Sequence, residues 1–199
     1  KKNYSKDKDN IGFFPESRLS EIKSHLPIIN KVIKNMHRKN SKEKFLISRS
    51  SNIDMKIYAK YFSNKKYVSI VTNENIYKTI DRCKIAVAAS GTITLQIALK
   101  KIPMCVFYKL SNATYLILKF LVKTKFISLV NIILNKKAIE EYIQGDASAK
   151  NIENEIEKIN NNESYRKNLI KDIGMIEKIL SDDTYTTNIN ELILKSLTN

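Results

Sequence analysis

The chain has 199 residues, 43% of them hydrophobic, and a formal charge of +15 from 35 Lys and Arg against 20 Asp and Glu. This length and apolar content support a real core in one domain, or one domain with a helical appendage, and exclude a disordered chain. The charge points to an anionic partner, yet almost all of it is Lys spread through surface-type positions in an Asn- and Ile-rich sequence, which reads as compositional bias and not as a nucleic-acid face.

Residues 1–10 form a polar leader, too polar for a signal peptide, and no apolar run reaches the ~18 residues of a membrane span, so a cytoplasmic protein is expected. Asp7-Lys8-Asp9 matches an Asp-x-Asp metal motif only formally, since it precedes any strand, and no metal or cofactor is expected. Short apolar or β-branched runs at 11–15, 44–48, 67–71, 85–89 and 104–108 predict five strands. Helical patterns separate them at 20–38, 54–62, 74–83 and 91–100, the first placing Ile22, Leu26, Ile29, Val32, Ile33 and Met36 on one face. Strict β-α alternation predicts an α/β fold, a Rossmann-like parallel sheet with helices on both faces.

Two strand-to-helix turns carry the candidate chemistry. At the first, Ser17-Arg18 with Glu21 one turn later could clamp a diphosphate, Glu21 capping the helix or orienting the guanidinium; the same residues also suit a plain surface ion pair. At the second, Ser90-Gly91-Thr92 opens a helix, where free backbone N–H groups favour a phosphate, and it is equally an ordinary N-cap sequence. Both turns fall beyond the carboxyl ends of strands, where open α/β sheets bind ligands.

Cys83 and Cys105 read as buried reduced thiols, and His25 and His37 as packing or surface residues of the first helix. After Tyr108 the alternation breaks down: an apolar helix with basic flanks at 115–122, a strand-like run at 126–129, a short helix at 136–143, then helices at 151–160, 163–180 and 184–197. The expected division is a nucleotide-sugar-binding domain over 11–148 and a helical segment over 149–199.

In order and spacing these turns resemble the C-terminal half of lipid-A-disaccharide synthase, a GT-B-type glycosyltransferase. The resemblance rests on Pro15-Glu16-Ser17-Arg18 followed by Glu21-Ile22, on Ser90-Gly91-Thr92 with Thr94-Leu95, and on Pro103-Met104 with Val106, Tyr108 and Lys109. Leu121-Val122-Lys123 and Ile127-Ser128-Leu129-Val130-Asn131 continue it, and it runs from about residue 11 to residue 147.

The resemblance implies transfer of 2,3-diacylglucosamine from its UDP derivative to 2,3-diacylglucosamine 1-phosphate, giving lipid A disaccharide and UDP. It implies that Arg18 and the amides of Ser90, Gly91 and Thr92 neutralise the leaving diphosphate. Asn131 would contribute from the neighbouring loop, and Ser17, Glu21, Gln96, Tyr108, Lys109 and Ser128 would line the donor site. Glu16 stands where the family has Gly, and Gln96 where it has a Glu for the ribose hydroxyls; both changes are expected to weaken nucleotide binding. The acceptor half of such an enzyme is not represented, so a separate N-terminal half is expected as partner, with a lipid acceptor at the inner face of the bacterial inner membrane. The contrasting expectation is a nucleotide-binding subunit without chemistry, and a nucleic-acid partner is not expected.

Overall fold

The computed structural model describes residues 8–63, 65–72, 74–89, 91–110 and 125–181. Strands β1 (Asn10–Phe14), β2 (Lys44–Arg49), β3 (Val68–Thr72), β4 (Cys83–Ala89) and β5 (Met104–Tyr108) alternate with helices α1 (Leu19–Lys39), α2 (Met55–Phe62), α3 (Ile76–Asp81) and α4 (Ile93–Leu99). Helix α5 (Leu129–Leu134), strand β6 (Glu141–Ile143) and helices α6 (Ala149–Asn161), α7 (Glu163–Ile173) and α8 (Met175–Ser181) follow. All pairings are parallel, in the order β3-β2-β1-β4-β5-β6. The expected α/β parallel sheet is therefore present, with six strands instead of five.

From β1 the chain moves outward through β2 to β3, then returns to β4 and moves the other way. Right-handed crossovers in opposite directions place their helices on opposite faces. Accordingly α1 packs against α2 and α6, while α4 packs against α5 and α8. The predicted stripe of α1, Ile22 to Met36, is buried against the sheet, as are the central β1, β4 and β5 side chains. Gly12 belongs to that packing, because a Cβ there would overlap Cys83 Sγ on β4. Cys83 and Cys105 are free and buried, and burial pushes the Cys83 thiol up to about 12.

Four expectations are corrected. The strand-like run at 126–129 leads into α5, because Ser128 caps that helix by accepting the Asn131 N–H. The segment at 136–143 is not a helix: α5 ends at Asn135 in the left-handed region, and β6 then pairs with β5. Cys83 begins β4 and does not end α3. The helix expected at 163–180 is divided at Gly174 into α7 and α8. The expected helices at 115–122 and 184–197 lie outside the described residues. No described helix is long and apolar enough to cross a membrane.

Candidate functional site

The sheet's direction reverses between β1 and β4, and the crevice beyond their carboxyl ends is the place this topology reserves for a ligand. On the β1 side, Arg18 is the N-cap of α1, with extended backbone and no side-chain capping bond. The first intrahelical bond runs from Ile22 N–H to Arg18 C=O, so the amides before Ile22 face the crevice end without helical partners. The Arg18 side chain is 80% exposed, with Nη1 3.6 Å from Glu21 Oε1. Glu21 is itself buried and accepts a 2.9 Å hydrogen bond from the Tyr108 hydroxyl at the end of β5. Burial first, then this bond, raise the Tyr108 pKa, which keeps the phenol protonated as a donor.

On the β4 side Gly91 adopts φ +127°, a conformation L side chains rarely take, and its carbonyl accepts the Thr94 hydroxyl at 2.8 Å. Two cavities meet over this turn. One, of about 300 Å³, reaches from Phe14 and Ser48 to Ile76 and Gln96; the other, of about 410 Å³, reaches Arg18, Glu21, Tyr108 and Ile127. They share Glu16, Ser17, Gly91 and Thr92. Glu16 is the residue held closest across the crevice: its Oε1 lies 3.3 Å from where a Cβ on Gly91 would stand. Burial, and secondarily the Glu21 carboxylate, raise the Glu16 pKa to about 7, against the lowering pull of the Ser17 amide and Arg18.

Behind this wall, one carboxylate organises the α5 entry. Glu141 accepts Ile127 N–H and Ser128 N–H, each at 2.9 Å, and Asn131 Nδ2 at 2.8 Å. Asn131 is fully buried; Nδ2 also donates to Ile139 C=O, and Oδ1 accepts the Ala138 and Ile139 amides. Its two donors and two lone pairs are thereby used within the chain, which makes it a fastener of the α5–β6 connection. On the far side of β5, buried His25 accepts Lys109 N–H through Nε2 at 3.2 Å and lies edge-on to Phe107, with ring centroids 4.8 Å apart.

The fold thus brings Ser17, Arg18, Glu21, Gly91, Thr92 and Tyr108 around one cavity and places Gln96 in the adjoining one. Lys109, Ser128 and Asn131 line neither, and Ser90 lies outside the described residues. Sequence reasoning did not single out Ser48 or Ile76, which line the crevice only through pairing and packing distant in the chain, or Glu141, which lies behind Ile127. It noted Glu16 only as a departure from a motif. No group of three or more His, Cys, Asp or Glu suited to a metal ion occurs among the described residues.

The crevice combines an exposed guanidinium, first-turn helix amides and a glycine turn, features suited to a small anionic ligand, with the Glu16 and Glu21 carboxylates. A family model described as lipid-A-disaccharide synthetase matches residues 1–191. Lipid-A-disaccharide synthase 1 of Legionella pneumophila is 28% identical over 94% of this chain and 49% of its own length. Lipid-A-disaccharide synthase of Acinetobacter baylyi is 34% identical over 89% of this chain and 48% of its own length. The chain therefore spans about half the length of these relatives. In fold it is similar to TarM, with a TM-score of 0.63 at 15% identity, covering 100% of this chain and 37% of that one. It is also similar to UDP-GlcNAc 2-epimerase from Neisseria meningitidis, solved bound to UDP-GlcNAc, with a TM-score of 0.55 at 14% identity over 87% of this chain and 44% of that one.

Proposed function

This chain belongs to the lipid-A-disaccharide synthase family, and from that premise we propose that it is the donor-binding half of such a glycosyltransferase. It holds UDP-2,3-diacylglucosamine while the sugar passes to the hydroxyl of 2,3-diacylglucosamine 1-phosphate at a membrane surface. The new glycosidic bond forms as the bond from the sugar to the diphosphate breaks; UDP leaves with the electron pair, and the acceptor proton goes to a base on a separate N-terminal half. Residues 11–148 carry the donor site, and the described helices α6 to α8 belong to the segment that follows it, 149–199.

The observation that carries this reading is Arg18 beside the crevice at the reversal of the sheet. Arg18, the first-turn amides of α1 and the amides of Gly91 and Thr92 stabilise the charge that grows on the departing diphosphate. A pre-aimed donor of this kind acts most in the transition state and needs no reorganisation. Gln96 meets the ribose, and Tyr108 holds Glu21 so that its carboxylate orients Arg18. Ser128 and Asn131 shape the α5 entry behind Ile127 as positioning residues.

Calorimetric titration with UDP tests the donor site. Binding is expected to weaken about tenfold or more in Arg18→Ala and to strengthen about tenfold in Gln96→Glu, since a charged hydrogen bond exceeds a neutral one by roughly 1 kcal/mol or more. Absence of saturable binding in the native chain and both variants rejects the reading. The Glu16 side chain within the crevice favours a second reading, a nucleotide-binding subunit without chemistry. Supplying the N-terminal half of a relative separates the two: disaccharide formation supports the transferase, and UDP binding with no product supports the subunit.

A further inference from the structure

Glu16 places a carboxyl where an anion site tolerates negative charge least. It lines both cavities and reaches from the β1 turn to Gly91 on the β4 side, so a diphosphate entering the crevice meets it directly. The charged and titratable groups facing it are Arg18 and Glu21 from α1 and Tyr108 from β5. None neutralises it by a described ion pair: Arg18 lies beside Glu21 and is mostly exposed, and Tyr108 donates its proton to Glu21. An ionised Glu16 is therefore an internal anion competing with the ligand's. A neutral Glu16 carries an O–H donor that a phosphate oxygen can accept.

Resting on the donor-site reading above, we propose that Glu16 is a protonation-controlled gate on the diphosphate subsite. As a neutral acid it donates to a phosphate oxygen and admits the nucleotide sugar; as a carboxylate it takes the anion position itself and excludes the ligand. Burial beside Glu21 brings its titration to about 7, inside the range a cell can vary. The gate is local to this crevice, because His25, held down at about 4 by burial, stays neutral throughout that range.

UDP-GlcNAc is the suitable probe, because its diphosphate is esterified at both ends and has no proton to lose near neutrality, unlike UDP. Affinity is measured by calorimetry on the whole chain between about pH 5.5 and about pH 8.5, for the native protein, Glu16→Gln and Glu21→Gln. The expected result is a fall of about tenfold or more with rising pH in the native chain, the same fall moved to lower pH in Glu21→Gln, which removes the neighbouring carboxylate, and tight, pH-independent binding in Glu16→Gln. Binding of UDP-GlcNAc that is flat with pH in the native chain overturns the gate and leaves the donor site standing. The same fall in Glu16→Gln assigns the titration to another group and also overturns it. Absence of UDP-GlcNAc binding in all three proteins at every pH overturns both the gate and the donor-site reading. Glu16→Gly, which restores open space beside Gly91, serves as a second variant should the amide disturb the turn.

Discussion

Two residues with opposite pKa shifts set the acid–base behaviour of folding. His25 is buried neutral, with its pKa lowered from 6.5 to about 4 chiefly by burial. Its folded value is depressed, so its contribution is complete above about pH 6.5 and is lost as pH falls toward about 4, a total of about 3 kcal/mol. Glu16 has the reverse sign: its pKa is raised from 4.5 to about 7, so stability is greatest below about pH 4.5 and falls as pH rises through about 7. Because Glu16 is partly exposed, solvent screening reduces that term to about 1 kcal/mol. Denaturant titration across pH is therefore expected to show a partly cancelled slope in the native chain. Glu16→Gln should steepen the loss toward acid, and His25→Phe should leave only the shallow loss toward neutral pH. An unchanged acid slope in His25→Phe contradicts the buried neutral imidazole. Neither shift is readable from the sequence: His25 meets Lys109, and Glu16 meets Gly91, only through the parallel pairing of β1, β4 and β5.

At the scale of elements, the strands that could be read were those whose apolar runs stand between turn signals, β1 to β5, and the helix best read was α1, whose buried stripe recurs over 21 residues. The α5–β6 unit escaped because Ile139, Tyr142 and Ile143 repeat at helical spacing although they belong to a turn and a three-residue strand. What decides that segment is a side chain remote from any periodicity: Asn131 ties both the Ala138 and Ile139 amides and, with Glu141, anchors the strand beside β5. Asn131→Ala leaves the buried Ile139 amide, the part-buried Ala138 amide and a carboxylate oxygen short of partners, and thermal or denaturant unfolding is expected to show a loss of about 3 kcal/mol. Ser128→Ala removes only a helix cap and should lose about 1 kcal/mol. Equal losses from the two changes contradict the fastener role. Asn131→Asp keeps an acceptor for the Ala138 and Ile139 amides but replaces the Nδ2 donor to Glu141 with a carboxylate, so it should also destabilise.

For the whole molecule, the formal charge of +15 poses a question that composition and structure answer together. Described lysine pairs are scattered over the molecule: Lys39 with Glu157 and Lys84 with Glu43, Lys100 with Asp81 and Lys101 with Glu177, Lys136 with Asp172. Among the described residues, lysines stand on many separate elements and pair with local carboxylates, which is the behaviour of a solvated surface and not of a groove for a polyanion. The screening length falls from ~30 Å at 0.01 M salt to ~8 Å at 0.15 M, so sodium chloride weakens the long-range repulsion while leaving buried contacts intact. The melting temperature is therefore expected to rise by roughly 2–4 °C over that range, corresponding to about 1 kcal/mol. A nucleic-acid face would instead release one counterion for nearly every phosphate met, giving an affinity that collapses steeply with salt. Retention of duplex DNA should thus be weak and its salt slope shallow, while UDP-GlcNAc, with only two charges to screen, should lose only a small factor. Steep, tight DNA retention, with a melting temperature that does not respond to salt, would show that the lysines form a dedicated surface after all.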